Sequence, residues 1–198
     1  MKKKAISFNT NILPTDGSVY LFENYIQDDD HLFEKIVKET AWEQKDITLF
    51  GKTIPQPRLI SWCSDPGVTY KYSGTEFKPC LWPKHLNKIR QNLNFDFKTS
   101  FNSVLLNYYR DGTDSMGLHS DDEKVLGKNP TVASISFGAE RLFKFSHKTE
   151  SHRERILLKP GSLLLMTGST QHFWKHELPK LKKIHKPRLN LTFRNIKN

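Results

Sequence analysis

Between residues 28 and 42, in "DDDHLFEKIVKETAW", apolar side chains recur at Leu32, Phe33, Ile36 and Val37 behind an acidic start. That spacing predicts an amphipathic helix. "LWPKHLNKIRQNLN" (81–94) has Pro83 near its start and Leu86, Ile89 and Leu93 on one stripe, which predicts a second helix. Elsewhere the period falls to two. "DITLFGKTIP" (46–55) reads as a hairpin turning near Phe50-Gly51, followed by strands over 59–64, 68–74 and 101–109. Further strands are predicted over 131–138, 141–147, 153–159, 162–167 and 188–194. Short strands separated by Gly, Pro and Asp turns point to a sandwich or jelly roll, with the two helices buttressing one sheet from outside. No internal repeat or Gly/Ser linker interrupts the chain. Residues 1–15 read as a loosely attached basic arm and 16–198 as a single domain.

The 198 residues allow a sizeable core, and 36% hydrophobic with 12% aromatic residues excludes a disordered chain. Thirty-one Lys and Arg against 21 Asp and Glu leave +10, a surplus that suits a polyanion as well as a plain solvated surface. Cys63 and Cys80 show no CxxC pairing and are expected as reduced core thiols. No apolar run approaches the roughly 18 residues of a membrane span, and the start lacks a signal-peptide core. The expectation is a soluble cytoplasmic protein.

The polar faces of the strands carry the candidate chemistry. In "RLNLTFR", Leu189, Leu191 and Phe193 share one face, and Arg188, Asn190, Thr192 and Arg194 share the other. A half-exposed strand would look the same. Yet two arginines among hydrogen-bonding groups also suit a carboxylate inside a barrel, because the guanidinium fork meets it in bidentate geometry. Ser103, Leu105, Asn107 and Tyr109 repeat the theme on "SVLLNYY". The acidic stretch "DSMGLHSDDEKV" contains His119-x-Asp121, and "TQHFWKHELP" offers His172 and His176. Two histidines and one carboxylate form the facial triad of non-haem Fe(II) enzymes. By spacing alone either later histidine could complete it.

In chain order the set is N-x-Y, H-x-D, H, R-x-N-x-T-x-R. Together with "NYYRDG", "GLHSDDE", "ASISFGAERLFKFSHK", "GSLLLMTGSTQHFWKHELP", "PRLNLTFRNI", "LFGKTIPQPRLISW" and "YKYSG", it resembles the AlkB family of 2-oxoglutarate- and Fe(II)-dependent dioxygenases. The resemblance spans roughly residues 16–196 and is greatest to the branch that repairs duplex DNA. It implies an α+β, mostly β fold: a double-stranded β-helix (jelly roll) over 101–196, with buttressing helices and a β-hairpin nucleotide-recognition layer in 16–100. It implies a metal triad of His119, Asp121 and His176, the last chosen by its place before "LP". It implies 2-oxoglutarate contacts from Asn107, Tyr109, Arg188, Asn190, Thr192 and Arg194, with O2 as the second cosubstrate.

The implied reaction is oxidative demethylation of bases such as 1-methyladenine or 3-methylcytosine in DNA, releasing formaldehyde. The same chemistry on RNA and a catalytically silent nucleic-acid-binding relative are the alternatives. For the substrate, the resemblance implies Tyr70 and Tyr72 around a flipped base and Asp122 and Glu123 near its edge. It also implies Phe50 as a wedge with Gly51 and Lys52 at the hairpin tip, and Arg58 on the opposite strand or a phosphate. At Tyr72 the duplex-acting relatives tend to carry phenylalanine. The basic run 179–188, with Lys180, Lys182, Lys183 and Lys186, offers phosphate contacts near the mouth of a site expected in a monomer.

Overall fold

The computed structural model describes residues 8, 10–27, 29–49, 52–72, 75–77 and 80–197. Chain order begins β1 (Ser18–Phe22), α1 (Asp29–Glu39), β2 (Asp46–Leu49), β3 (Lys52–Pro55), β4 (Leu59–Ser64), β5 (Tyr70–Tyr72), β6 (Thr75–Phe77) and α2 (Lys84–Phe97). It continues β7 (Ser103–Tyr109), β8 (Met116–His119), β9 (Val132–Gly138), β10 (Arg141–His147), β11 (Arg153–Leu158), β12 (Leu163–Thr167), α3 (Thr170–Phe173), β13 (Trp174–Leu178) and β14 (Arg188–Arg194). A six-stranded antiparallel sheet runs β1-β12-β9-β14-β7-β4, and a four-stranded one runs β11-β10-β13-β8. The hairpins β2–β3 and β5–β6 stand outside both sheets.

Two apolar layers hold the sheets. On the outer face of the large sheet, Ile36 of α1 and Leu86, Ile89 and Leu93 of α2 pack on Val104, Leu106, Ile135, Leu189, Leu191 and Phe193. Strand alternation then turns the other faces of β7, β9 and β14 toward the small sheet. There Tyr109, Val132, Phe143, Phe145, Met166, Trp174 and Leu178 make an inner layer. Every residue of β14 is therefore buried, its leucines under the helices and its polar side between the sheets. The α2 helix stops where Lys98 takes a left-handed conformation (φ 51°) and its N–H caps Asn94 O.

Four expectations change. The arm is not loose from residue 10 onward: Leu13 is buried, Asn11 Oδ1 accepts from Val19 N at 2.8 Å, and Trp174 Nε1 donates to Thr15 O at 3.0 Å. The jelly roll is not confined to 101–196, because β1 and β4, within 16–100, are strands of the large sheet. Residues 68–74 do not form one strand, since β5 turns back into β6. Cys63 and Cys80 are joined as a disulfide, their Cα atoms 4.5 Å apart across a parallel bridge. Spacing along the chain carries no sign of that bridge.

Candidate metal centre and cosubstrate chamber

The two histidines of the site meet because β8 pairs with β13 in a register that sets His119 directly opposite His176. Their rings lie 4.3 Å apart, and Asp121 follows two residues on. The ligand atoms of His119, Asp121 and His176 all fall within 4.8 Å of one another. His172 is exposed on α3 and stays outside the group, so the structure selects His176.

The donor atoms are turned for a metal. His119 Nδ1 donates to Gly117 O at 2.8 Å, which leaves Nε2 as the nitrogen facing Asp121. Asp121 is 1% exposed; its Oδ1 accepts from Arg194 Nη2 at 2.8 Å, while Oδ2 is buried with no partner among the described residues. Burial alone would push the Asp121 carboxyl up, but Arg194 and the two histidines outweigh it and hold it at about 2. Burial, reinforced by His119, pulls His176 down to about 3. An ionised carboxylate and a neutral imidazole are the forms in which these groups bind metals. An orphaned buried carboxylate oxygen beside two imidazoles fits Fe(II).

Behind this triad a chamber opens between the sheets, walled by Asn107 and Tyr109 of β7 and by Arg188, Asn190, Thr192 and Arg194 of β14. At its inner end Arg188 is 2% exposed, bonds Ser136 Oγ at 2.9 Å and lies 5.3 Å from the Tyr109 ring centroid. Burial lowers its pKa to about 10, which still leaves the guanidinium charged at neutral pH. Asn190 uses all its capacity within the wall: Nδ2 donates to Ser134 Oγ and Ile135 O, and Oδ1 accepts from Thr192 Oγ1 and Asn107 Nδ2. It shapes the chamber by holding its neighbours.

The nucleic-acid residues fare differently. Arg58 is corrected: it is 4% exposed, and its Nε donates to Asn107 Oδ1 at 2.8 Å. A head buried against β7 does not offer a surface phosphate contact. Asp122 is exposed and meets Lys148 Nζ at 3.3 Å, and Glu123 is half-buried at the start of a 3-10 turn. Lys52 opens β3, and Tyr70 and Tyr72 lie on β5, but their side chains are outside the described residues, as are Phe50 and Gly51 altogether. Lys180, Lys182, Lys183 and Lys186 are exposed, on a segment fastened where Leu181 N donates to Gly112 O and Gly112 N to Ile184 O. A Cβ on Gly112 would come within 1.9 Å of Leu181 O, so only glycine permits that approach.

Sequence reasoning missed Gln171 and Arg141. Gln171, fully buried, accepts the Asp121 N–H at 2.9 Å and so fixes the backbone that carries the ligand. No pattern marked it. Arg141 did carry a signal, because period two places it on the same face as Phe143 and Phe145.

A jelly roll holding two imidazoles and a carboxylate at one end of a basic chamber defines a 2OG-Fe(II) oxygenase, and residues 18–194 match the 2OG-Fe(II) oxygenase superfamily. The chain is 36% identical over 201 aligned positions to mouse alpha-ketoglutarate-dependent dioxygenase alkB homolog 3, covering 96% of this chain and 70% of that protein. It is 38% identical over 178 positions to the human DNA oxidative demethylase ALKBH2, covering 84% and 68%. The solved structure of OsALKBH1 matches with a TM-score of 0.62 at 19% identity, over 89% of this chain and 97% of that one, which shows the fold. The chain belongs to the AlkB family of 2OG-Fe(II) oxygenases. It spans 64–70% of the length of the first relatives it matches.

Proposed function

We propose that this chain is an oxidative demethylase of N-alkylated bases in nucleic acid, with duplex DNA as the preferred substrate. The observation that carries the reading is the pairing of the buried Asp121 Oδ2 with a charged, buried Arg188 at opposite ends of one chamber. The names of two relatives, a dioxygenase and a DNA oxidative demethylase, support it. Iron, 2-oxoglutarate and O2 would supply oxidative decarboxylation to succinate and CO2 with hydroxylation of the alkyl carbon, whose product loses formaldehyde.

The chain's own residues have three tasks in this reading. His119, Asp121 and His176 hold the metal, with Arg194 keeping the carboxylate ionised and Gln171 fixing its backbone. Arg188 and Tyr109 receive the distal carboxylate, and Asn190 holds Asn107 and Thr192 against the wall. Met116, Phe143 and Leu178 line the chamber with apolar surface that excludes water. A base inside a duplex cannot reach so recessed a metal, so it must leave the stack.

The test is anaerobic titration with Fe(II) and 2-oxoglutarate, then turnover on methylated single-stranded DNA, duplex DNA and RNA. Absence of succinate release with all three would end the demethylase reading. Two predictions follow from the surfaces. If Phe50 wedges into the gap left by the base, Phe50→Ala lowers duplex turnover about tenfold or more and single-strand turnover less than about twofold. Equal losses on both would remove the wedge. The salt dependence of oligonucleotide binding separates the two kinds of cation. Each of Lys182→Ala and Lys183→Ala should flatten the log–log slope by about 0.9, whereas Arg58→Met should leave it unchanged. A flattened slope in Arg58→Met would return that residue to the phosphate surface.

A further inference from the structure

Arg141 opens β10 and is 1% exposed, yet it stands behind the chamber wall rather than in it. Its Nη1 donates to Asp111 O at 3.2 Å, and its Nη2 to Asp114 O at 2.9 Å and Pro179 O at 2.7 Å. Its Nε is buried with no partner among the described residues. The guanidinium carbon lies 6.0 Å from the centroid of the Tyr109 ring, the same ring that Arg188 approaches to 5.3 Å.

Two buried guanidinium groups thus flank one aromatic ring at the inner end of the chamber. Among the described residues neither has a hydrogen-bonded carboxylate: Arg141 donates to main-chain carbonyls, and Arg188 to a serine hydroxyl. Of the two acids whose charge acts on Arg141, Asp114 has both its oxygens engaged by Arg110 at 2.8 Å, and Asp111 accepts from Thr113. Removing two like charges from water is costly, and an anion that enters the chamber beside Arg188, on the other side of the ring from Arg141, makes the arrangement more favourable. Carbonyl bonds to three residues fix the Arg141 fork, so its charge cannot swing away toward solvent.

We propose that Arg141 is a positioning residue for the cosubstrate: it backs Tyr109 and adds a second buried positive charge that, with Arg188, makes the chamber select a dicarboxylic 2-oxo acid over a monocarboxylic one. This rests on the reading of the chamber as the 2-oxoglutarate site. A charge one ring away from the distal carboxylate is weakly screened in such an interior, whereas the keto-acid end faces the metal and lies farther off.

The experiment titrates the full chain, loaded with Mn(II), with 2-oxoglutarate and separately with 2-oxovalerate, which lacks the distal carboxylate. Heats of binding and thermal midpoints are read for wild type, Arg141→Lys and Arg141→Gln, with no nucleic acid present. Arg141→Gln should weaken 2-oxoglutarate about tenfold and 2-oxovalerate less than about twofold, while Arg141→Lys keeps both within about threefold. Equal weakening of both acids, or unchanged 2-oxoglutarate binding in the folded Gln variant, overturns the proposal. Should the Gln variant not fold, Arg188→Met decides: with Arg141 still in place it should prefer the dicarboxylate at least about threefold, and no preference overturns the proposal. Failure of wild type to bind either acid overturns the reading of the chamber itself, a result distinct from a loss of selectivity.

Discussion

Asp121→Asn should lower metal affinity by more than about 100-fold, beyond the 10–100-fold that changes to outer partners of a metal site cost. Succinate and formaldehyde release should fall below detection. Oδ2 is the buried oxygen left for the ion, and the amide that replaces the carboxylate lacks the charge that Fe(II) requires. The Asn variant is the informative one. Asp121→Ala also strips Arg194 of its carboxylate at a position where the two side chains are 9% and 2% exposed. Breaking a buried pair from one side costs about 3–5 kcal/mol, so the Ala variant loses stability together with metal. Asp122→Asn, one residue along on an exposed carboxylate, should leave metal affinity unchanged. Calorimetric Mn(II) titration of the three variants checks this. Affinity within about threefold of wild type in Asp121→Asn would exclude the carboxylate from the ligand set.

The contrast between Asp121 and Asp122 shows where the sequence is legible. The helices were marked by stripes at a period of 3.6, and β7, β10 and β14 by a period of two, so the helix bounds come out within three residues and the strand bounds within two. The polar rows of β7 and β14 were equally visible, but an exposed face and a face buried under a second sheet have the same pattern. Only the closure of β10-β13-β8 over them distinguishes the two. The strands that close the barrel were the hard ones. "MGLH" of β8 has no alternation, being half-buried or exposed throughout. In "WKHEL" of β13 the buried position between Trp174 and Leu178 is a histidine. The metal ligands themselves thus erase the hydrophobic signal of the strands that hold them. Arg58 and Arg141 were obscure for a related reason: arginine defaults to the surface, and both find buried acceptors far along the chain, Asn107 for the first and three backbone carbonyls for the second.

Leu191→Ala and Thr192→Val, adjacent on β14, should separate the two faces of that strand. Leu191 is fully buried toward the helices, between Leu106 of β7 and Ile135 of β9 in register. Truncating it should cost about 2–5 kcal/mol of stability, from lost burial and the cavity left behind. For a domain of this size that lowers the thermal midpoint by roughly 4–20 °C. The folded fraction should still bind 2-oxoglutarate within about threefold of wild type, because the lost methyl groups face away from the chamber. Thr192→Val is close to isosteric and removes the hydroxyl that donates to Asn190 Oδ1 at 2.8 Å. Its stability cost should stay near 1 kcal/mol, the typical net value of one hydrogen bond. Its 2-oxoglutarate affinity should drop about three- to tenfold, because Asn190 then holds Asn107 less firmly against the wall. Chemical unfolding and calorimetric titration of the same preparations measure both quantities. A variant pair that lost stability and affinity in parallel would mean that the helix layer and the chamber respond as one body. The expected crossing of effects means instead that β14 serves the core with one face and the cosubstrate with the other.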